Sequence, residues 1–520
     1  METHVSADPA VPVAIVGGGP VGLSLALGLA RRGVESVLIE RKPTTSAQSR
    51  APAIHVRSLE IFRQWGVAGR LLDAGTLKRS MPMHRGATSR QPLLTFPFDD
   101  LDDEAEDAGI LFLEQGRTEH ILAEALAETG RCGMRFATEV TGIEPGSEGV
   151  ELTVHGEAGR HRIRTAYLVG CDGTGSFVRE ALGLSFDGMT FPLRPTLADV
   201  RIADERDTLP WPRFHNGRNG FTAAQRLAPS HWRIVRVEAG DSAPGLDVPA
   251  AEVRRRTAEV LGDGEAEVLW ASRFQFQRRA SPSYRQGRIL LAGDAAHAFP
   301  PANGHGMNAG IQDAHNLAWK LASSFSGGDT DRLLESYDVE RRAVIGTVSR
   351  HVSSLTRIGI QSPRPVRAGV VQLMRIAMRS SRLRRKRLRT MAMLDLSLTA
   401  SPLLNTDESS AGVRLPNPVL RSPEGSRVRL HDLIGYGPAL IMVSTDDHRW
   451  AEVPVDITVR IDDDGGHNDP SGTLRSLLGA VSGAILVRPD LHVAWTRTEA
   501  SGAADAARHS LGIIRRGPTG

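Results

Sequence analysis

Three short segments hold residues whose types and spacing suit ligand chemistry. The first is Gly17-x-Gly19-x-x-Gly22. Between a strand and a helix, glycines at this spacing give a tight turn, let the backbone approach a pyrophosphate, and bring helix and strand close. The helix N-terminus then offers free N–H groups and a positive dipole end to the phosphates. Glu40 ends the next strand, where an acid can accept hydrogen bonds from ribose hydroxyls. The second segment is Cys171-Asp172-Gly173-Thr174-Gly175-Ser176-Phe177-Val178-Arg179, and the third runs from Gly287 through Gly293-Asp294 to His297. A carboxylate at Asp294 sits where open α/β sheets bind ligands, at the carboxyl edge of the strands. After a proline-rich turn that includes Pro301, Gly304-His305-Gly306-Met307-Asn308 opens a new helix. Its unblocked N–H groups would stabilise negative charge, and its glycines would let the backbone come close. Asp313 is placed to brace that helix start. Turns without any ligand are the competing reading, since Asp-Gly is an ordinary turn pair. A strand before, a helix after and an acid in place weigh against it.

The elements that must position these residues are legible in outline. Val11 to Val16 is a continuous apolar run, as a strand buried on both faces requires. It leads through the glycines into a helix that stops at Gly33, and residues 36–40 form a second strand. Residues 167–172 and 289–294 are later strands of the same kind, each ending on an Asp. Residues 185–280 differ: aromatics are spaced among polar residues, and Trp232 to Val237 alternates as an antiparallel strand does. A helix is expected over 311–323, another over 331–356. From Ala411 the pattern restarts, with strands at 440–443, 484–487 and 492–495.

Composition narrows the class. A chain of 520 residues exceeds one ordinary core. Lys and Arg number 63 against 60 acids, so the molecule as a whole is no nucleic-acid polycation. Cys132 and Cys171 form neither a CxxC nor a metal-like spacing, so no metal site is expected and a reduced cytoplasm is the default compartment. The apolar stretch 11–30 lacks a basic leader and carries the glycine fingerprint, which reads as buried structure and not as a signal peptide. No other run approaches a membrane span, and no membrane partner is expected. The basic stretch Arg382 to Arg389 reads as a solvated, amphipathic connecting helix.

With three motifs in this order, the chain resembles the single-component FAD-dependent aromatic hydroxylases, the p-hydroxybenzoate hydroxylase-like class A flavoprotein monooxygenases. Its layout is most similar to phenol and polyketide hydroxylases with a C-terminal thioredoxin-like domain. Ser49-Arg50-Ala51, Arg57-Ser58-Leu59-Glu60, Gln115 with Glu119, and Tyr337 to Arg342 are further matches. The resemblance implies an α/β fold with three parts. These are a Rossmann-like FAD-binding domain with its following helices over 1–184 and 281–400, an inserted antiparallel substrate sheet over 185–280, and a thioredoxin-like domain over 411–520. Lacking CxxC, the last would serve packing or oligomer contact.

Carried over by motif, the FAD-binding set is Gly17, Gly19, Gly22, Glu40, Arg41, Arg50, Gln115, Val140, Asp172, Gly293, Asp294, Pro301, Gly304, Gly306, Met307 and Asn308. Arg50 would sit beside FAD, where it can meet NAD(P)H. Gln115 would contact the flavin, and Val140 would lie by the adenine. The turn at 304–308 would face the negative charge of reduced flavin near N1. Bound FAD, with NAD(P)H as transient reductant and O2 as co-substrate, implies hydroxylation of an aromatic small molecule through a C4a-hydroperoxyflavin. No second GxGxxG is present for NAD(P)H, which fits transient docking.

The substrate base is unassigned, with Arg50, His55 and His305 as candidates and His297 as a further alternative, a structural role being the competing reading for each histidine. Where some phenol hydroxylases carry an acid, this chain has Pro52, which points away from simple phenol. A polyketide-derived substrate in antibiotic biosynthesis leads the expectation. Catabolism of a substituted phenol, Baeyer–Villiger oxidation, epoxidation and a flavin-binding role without oxygenase turnover are the alternatives. A homodimer is compatible with all of them.

Overall fold

The computed structural model describes residues 10–45, 52–85, 89, 91–157, 159–203, 209–217, 220–240, 248–262, 265–300, 304–404, 410–462 and 465–513. Arg50 and Pro301 lie outside these residues.

Strand Val11–Val16 occupies the middle of an eight-stranded sheet. Six strands follow the order Arg285–Gln286, Ile289–Leu291, Gly159–Gly170, Val11–Val16, Ser36–Ile39 and Cys132–Arg135. Apart from the first, neighbours on this path pair in parallel. Val13, Ala14 and Ile15 are fully buried, as expected for a parallel strand covered on both faces. The register sets Val16 beside Gly170, and Gly170 beside Leu291. The chain therefore leaves three strands at one edge, at Gly17, Cys171 and Ala292. Helices Pro20–Ala30 and His305–Phe325 pack together over the sheet. A Cβ at Gly28 would lie 2.8 Å from Trp65 and 3.0 Å from Ala318, so glycine permits this close crossing.

The helix expected over 311–323 is longer, His305–Phe325. Its first turn is the His305-Gly306-Met307-Asn308 segment itself. Asp313 is consequently nine residues into the helix, and it braces a neighbouring turn and not its own helix start.

The second sheet has seven strands, in the order Glu267–Arg273, Leu193–Arg201, His231–Ala239, Gly220–Ala228, Arg213–Gly217, Ser80–His84 and Pro92–Pro97. The last two come from outside 185–280. They escape a reading of alternation because both are short and carry Pro82, Pro92 and Pro97. Ser80–His84 joins Arg213–Gly217 in parallel, whereas the other pairs are antiparallel.

Helix Thr330–Thr356 ends in a π-turn, Arg357–Gln361, followed by helices Arg364–Ala377 and Ser381–Met391. The C-terminal part folds around a mixed four-stranded sheet, Ile457–Ile461, Ala439–Val443, Gly483–Val487 and Val493–Arg497.

Buried charge joins this last part to the rest. Arg414 reaches Glu60, which Arg57 also binds at 3.0 Å, and Arg57 donates to the Asp490 carbonyl at 2.8 Å. Arg488 spans Glu340 and Asp490, at 2.7 Å each, and Lys320 meets Glu340 at 2.7 Å. All these side chains are buried. Burial alone would raise the Glu60 carboxyl, but Arg414 and Arg57 outweigh it and hold the group down at about 2. The arginine helix Ser381–Met391 is more engaged than a solvated connector. Arg384 pairs with Asp100, and Arg385 and Arg389 pair with Glu104.

Candidate active site

At the carboxyl edge, the three fingerprint glycines are required for three different reasons. Gly17 has φ +109, and a Cβ there would fall 2.4 Å from the Cys171 carbonyl oxygen. A Cβ at Gly22 would fall 1.9 Å from the Gly17 carbonyl oxygen. At Gly19 nothing stands within 4 Å of that position. The fold itself demands the first two; the third keeps space open in front of the helix. Helix Pro20–Ala30 has proline in its first turn, no acid there and no side-chain cap. Its free N–H groups are therefore left for an anion. Glu40 accepts from the Gly18 N–H at 2.7 Å and the Lys42 N–H at 2.9 Å, which fixes its carboxylate beside the glycine turn. Arg41 is exposed next to it. The Thr138 N–H donates to the Glu40 carbonyl at 3.0 Å, so buried Val140 follows two residues after this contact.

Asp172 turns back on its own loop. It accepts from the Ser176 hydroxyl at 2.6 Å and the Val178 N–H at 3.1 Å. Burial pushes its carboxyl up, against those hydrogen bonds. Gly293, at φ +61, packs so closely on Val21 that a Cβ would lie 2.9 Å away. Asp294 is exposed beside it. The turn is tied from behind by fully buried Asp313, which accepts from the Gly293 N–H at 3.0 Å, His297 at 2.6 Å and Arg341 at 2.7 Å. Burial would raise the Asp313 carboxyl, but the charges of His297 and Arg341 bring it below its ordinary value.

The second helix start forms the other end of the site. Gly304 caps helix His305–Phe325 in the left-handed region, φ +68, and no side chain caps the helix. Around Gly306 nothing lies within 4 Å of a Cβ, so the first turn is approachable by a planar group. Asn308 donates to the Ala53 carbonyl at 2.9 Å and the Gly304 carbonyl at 2.8 Å, and accepts from the His55 N–H at 2.9 Å. His55 Nδ1 is 2.7 Å from the Met391 carbonyl. A carbonyl can only accept, so that nitrogen carries a proton, and Nε2 faces the Gly304 turn. His305 is buried with its ring centroid 5.1 Å from that of His55. Burial first, then His55 and His351, push the His305 imidazole well below its ordinary value, so it is neutral at neutral pH. Met307 is buried in the same turn. Gln115 opens helix Gln115–Ala127 and donates to Glu119 at 2.8 Å.

The seven-stranded sheet turns one face toward this ensemble. Ala198, Val200, Ile234 and Trp232 join Val253 and Val260 of helix Ala250–Leu261 in one apolar cluster. Alternation puts Arg233, Val235 and Val237 on the opposite face, where Phe221, Phe274, Phe276 and Ile360 cluster with Val235 and Val237. Asp199 holds Arg233 there through two bonds, at 2.8 and 2.7 Å. On the same face His231 Nδ1 lies 3.2 Å from Glu114, the residue that precedes Gln115. Gln225 Oε1 is buried with no protein partner. The functional roles of Glu114, Asp199, Gln225, His231 and Arg233 were not legible in the sequence; the alternation at 232–237 was the available signal, and it named a strand but not its partner.

The glycine cradle and the open first turn of the second helix together fit an FAD molecule, with phosphates at one end and an anionic ring at the other. Comparison with known proteins agrees. Residues 10–352 match the FAD binding domain family, and residues 408–513 match the C-terminal domain of aromatic-ring hydroxylases. The chain belongs to the FAD-dependent aromatic monooxygenases. It is 31% identical over 522 residues to the 12-dehydrotetracycline 5-monooxygenase/anhydrotetracycline 6-monooxygenase of Streptomyces rimosus subsp. rimosus, covering 96% of this chain and 98% of that one. Pentachlorophenol 4-monooxygenase of Sphingobium chlorophenolicum is 31% identical over 350 residues, 65% of this chain and 63% of that one. The solved structure of anhydrotetracycline hydroxylase from Streptomyces rimosus superposes with TM-score 0.80 at 30% identity, over 97% of this chain and 99% of that one. Among the described residues no helix is long and apolar enough to cross a membrane.

Proposed function

We propose that this monooxygenase hydroxylates a polycyclic, polyketide-derived phenol or quinone in the cytoplasm, with NAD(P)H docking transiently. The end-to-end likeness to a tetracycline-pathway hydroxylase carries the reading, since the phenol-type relative matches only about two thirds of the chain. The broad apolar sheet face, with Phe221, Phe274 and Phe276, supports it. Bound FAD would supply the redox chemistry, namely acceptance of hydride from NAD(P)H and transfer of one oxygen atom of O2 to the aromatic ring, the other leaving as water.

The chain's own residues bind, orient and exclude water. Gly17, Gly19, Gly22, Glu40, Arg41 and Val140 take the ADP half. Gly293 and Asp294 take the ribityl chain, with Asp172 shaping the adjoining loop. Gln115, Gly304, Gly306, Met307 and Asn308 take the isoalloxazine, together with Arg50 and Pro301. The uncapped helix start offers N–H groups to the ring's anionic edge. Gln225 Oε1 accepts a substrate hydroxyl, and His55 and neutral His305 support the Gly304 turn.

Anaerobic bleaching of the flavin by NAD(P)H, followed with and without a panel of ligands, tests this. Polycyclic phenols should accelerate bleaching by at least about tenfold, and readmitted oxygen should give hydroxylated product. Acceleration by simple phenols alone would favour catabolism. Bound flavin that no ligand helps to reduce would point to a role without oxygenase turnover.

A further inference from the structure

The stretch between Glu340 and Asp395 contains no acid at all, yet it holds thirteen arginines and Lys386. The fold neutralises only part of this charge. Arg341, Arg342, Arg384, Arg385 and Arg389 pair with carboxylates of other segments or of their own helix. Arg357, Arg375, Arg379, Arg382 and Lys386 are exposed, and no carboxylate among the described residues pairs with them.

The same stretch collects exposed apolar groups. Of the twelve large apolar side chains exposed among the described residues, five fall here: Ile358, Val366, Leu373, Ile376 and Leu383. Val366, Val370, Leu373 and Ile376 follow helical spacing along Arg364–Ala377, so they line one side of that helix. Leu373 is 68% exposed and Ile376 63%. The helix has a separate inner side, where Met374 packs against the cluster of Met81, Leu94 and Phe96. Core packing thus does not account for the outer stripe.

From this juxtaposition we infer that helix Arg364–Ala377, with the start of Ser381–Met391, is a peripheral docking surface for an anionic lipid membrane. An aliphatic stripe flanked by uncompensated arginines suits the plane of a bilayer interface, where the side chains insert and the guanidiniums meet phosphates. A second copy suits it less, because a two-fold contact would set these cations against each other. The outer stripe is aliphatic, without the Trp and Tyr that anchor protein interfaces. The π-turn joins the surface to the substrate sheet, since Ile360 packs with Phe221 and Phe274. Resting on the aromatic-substrate reading, this places the route for an apolar substrate next to the lipid that would dissolve it.

Flotation of the FAD-loaded full chain with phosphatidylcholine vesicles, with and without phosphatidylglycerol, tests the surface. Binding should need phosphatidylglycerol and weaken with salt. Replacing Arg375, Arg379 and Arg382 by Gln should weaken it about a hundredfold, and Leu373→Asp with Ile376→Asp should abolish it. Bound flavin and turnover of a soluble substrate should be unchanged in both variants. No flotation of the wild type, or equal flotation of the variants, overturns the proposal. So does a dimer in solution that the Leu373→Asp/Ile376→Asp variant converts to monomer, since a second copy then covers the stripe; an acidic protein that binds through these residues while the vesicles do not would do the same. Failure here leaves ligand-stimulated flavin reduction untouched, so the two readings fail separately.

Discussion

Gly17 and Gly19 sit two positions apart in one motif and answer to different physics. Gly17 combines φ +109 with a neighbouring backbone 2.4 Å from any Cβ, so alanine there strains the fold. Gly19 is extended, with φ −77 and open space in front, so alanine is tolerated by the protein but projects into the proposed phosphate site. Gly19→Ala should fold with near-normal stability and bind FAD about tenfold or more weakly, read by flavin fluorescence titration. Gly17→Ala should lose roughly 2 kcal/mol or more of stability in denaturant unfolding. Equal loss of stability in both would refute the distinction. The glycine spacing is visible in the chain because the motif is local. That Asp313 holds Gly293 from the middle of a helix was not visible, because it depends on how that helix crosses the strand ends.

At the scale of elements, the seven-stranded sheet, the proposed substrate sheet, touches the segment just before the helix that starts at Gln115. His231, on strand His231–Ala239, meets Glu114 at 3.2 Å. The His231 hydrogen bond holds the Glu114 carboxyl below its ordinary value. If this link sets the sheet's distance from the flavin, cutting it should misplace substrate without releasing cofactor. His231→Ala should therefore keep its FAD yet form less hydroxylated product per NAD(P)H oxidised, with the balance appearing as hydrogen peroxide. Unchanged coupling would show that other contacts position the sheet. The stretch Trp232 to Val237 announced an antiparallel strand. Which side meets the cofactor domain followed only from helix Ala250–Leu261 covering the other. The strands Ser80–His84 and Pro92–Pro97 stayed hidden for a related reason: both are short and contain proline, which in a sequence reads as loop, although Ser80–His84 is paired on both sides and only Pro92–Pro97 lies at the sheet edge.

The whole molecule is held together by charge buried between its parts. Glu60 is depressed to about 2 from an ordinary 4.5, with Arg414 as its strongest attractive partner. A carboxylate lowered on folding contributes stability above its unfolded value and loses that contribution as pH falls through the folded one. Melting temperature should thus decline as pH drops from 4.5 toward about 2. Arg414→Met leaves Glu60 buried with only Arg57, and should cost about 3–5 kcal/mol near neutral pH. The variant should also show a smaller loss on acidification, because its Glu60 is depressed less; an equally steep loss would mean that other carboxylates dominate.

The chain by itself determined the cofactor cradle, its strand–turn–helix setting and the family of chemistry, because these depend on neighbours within a few positions. Tertiary structure alone decided the rest. Glu60 and Arg414 are 354 positions apart, and nothing in either neighbourhood names the other. Arg384, Arg385 and Arg389 read as solvent-facing until folding laid them beside Asp100 and Glu104, while Arg375 and the apolar stripe of Arg364–Ala377 stayed exposed. Charge can be counted along a sequence, but pairing is a matter of distance, and only the fold brings remote residues within reach.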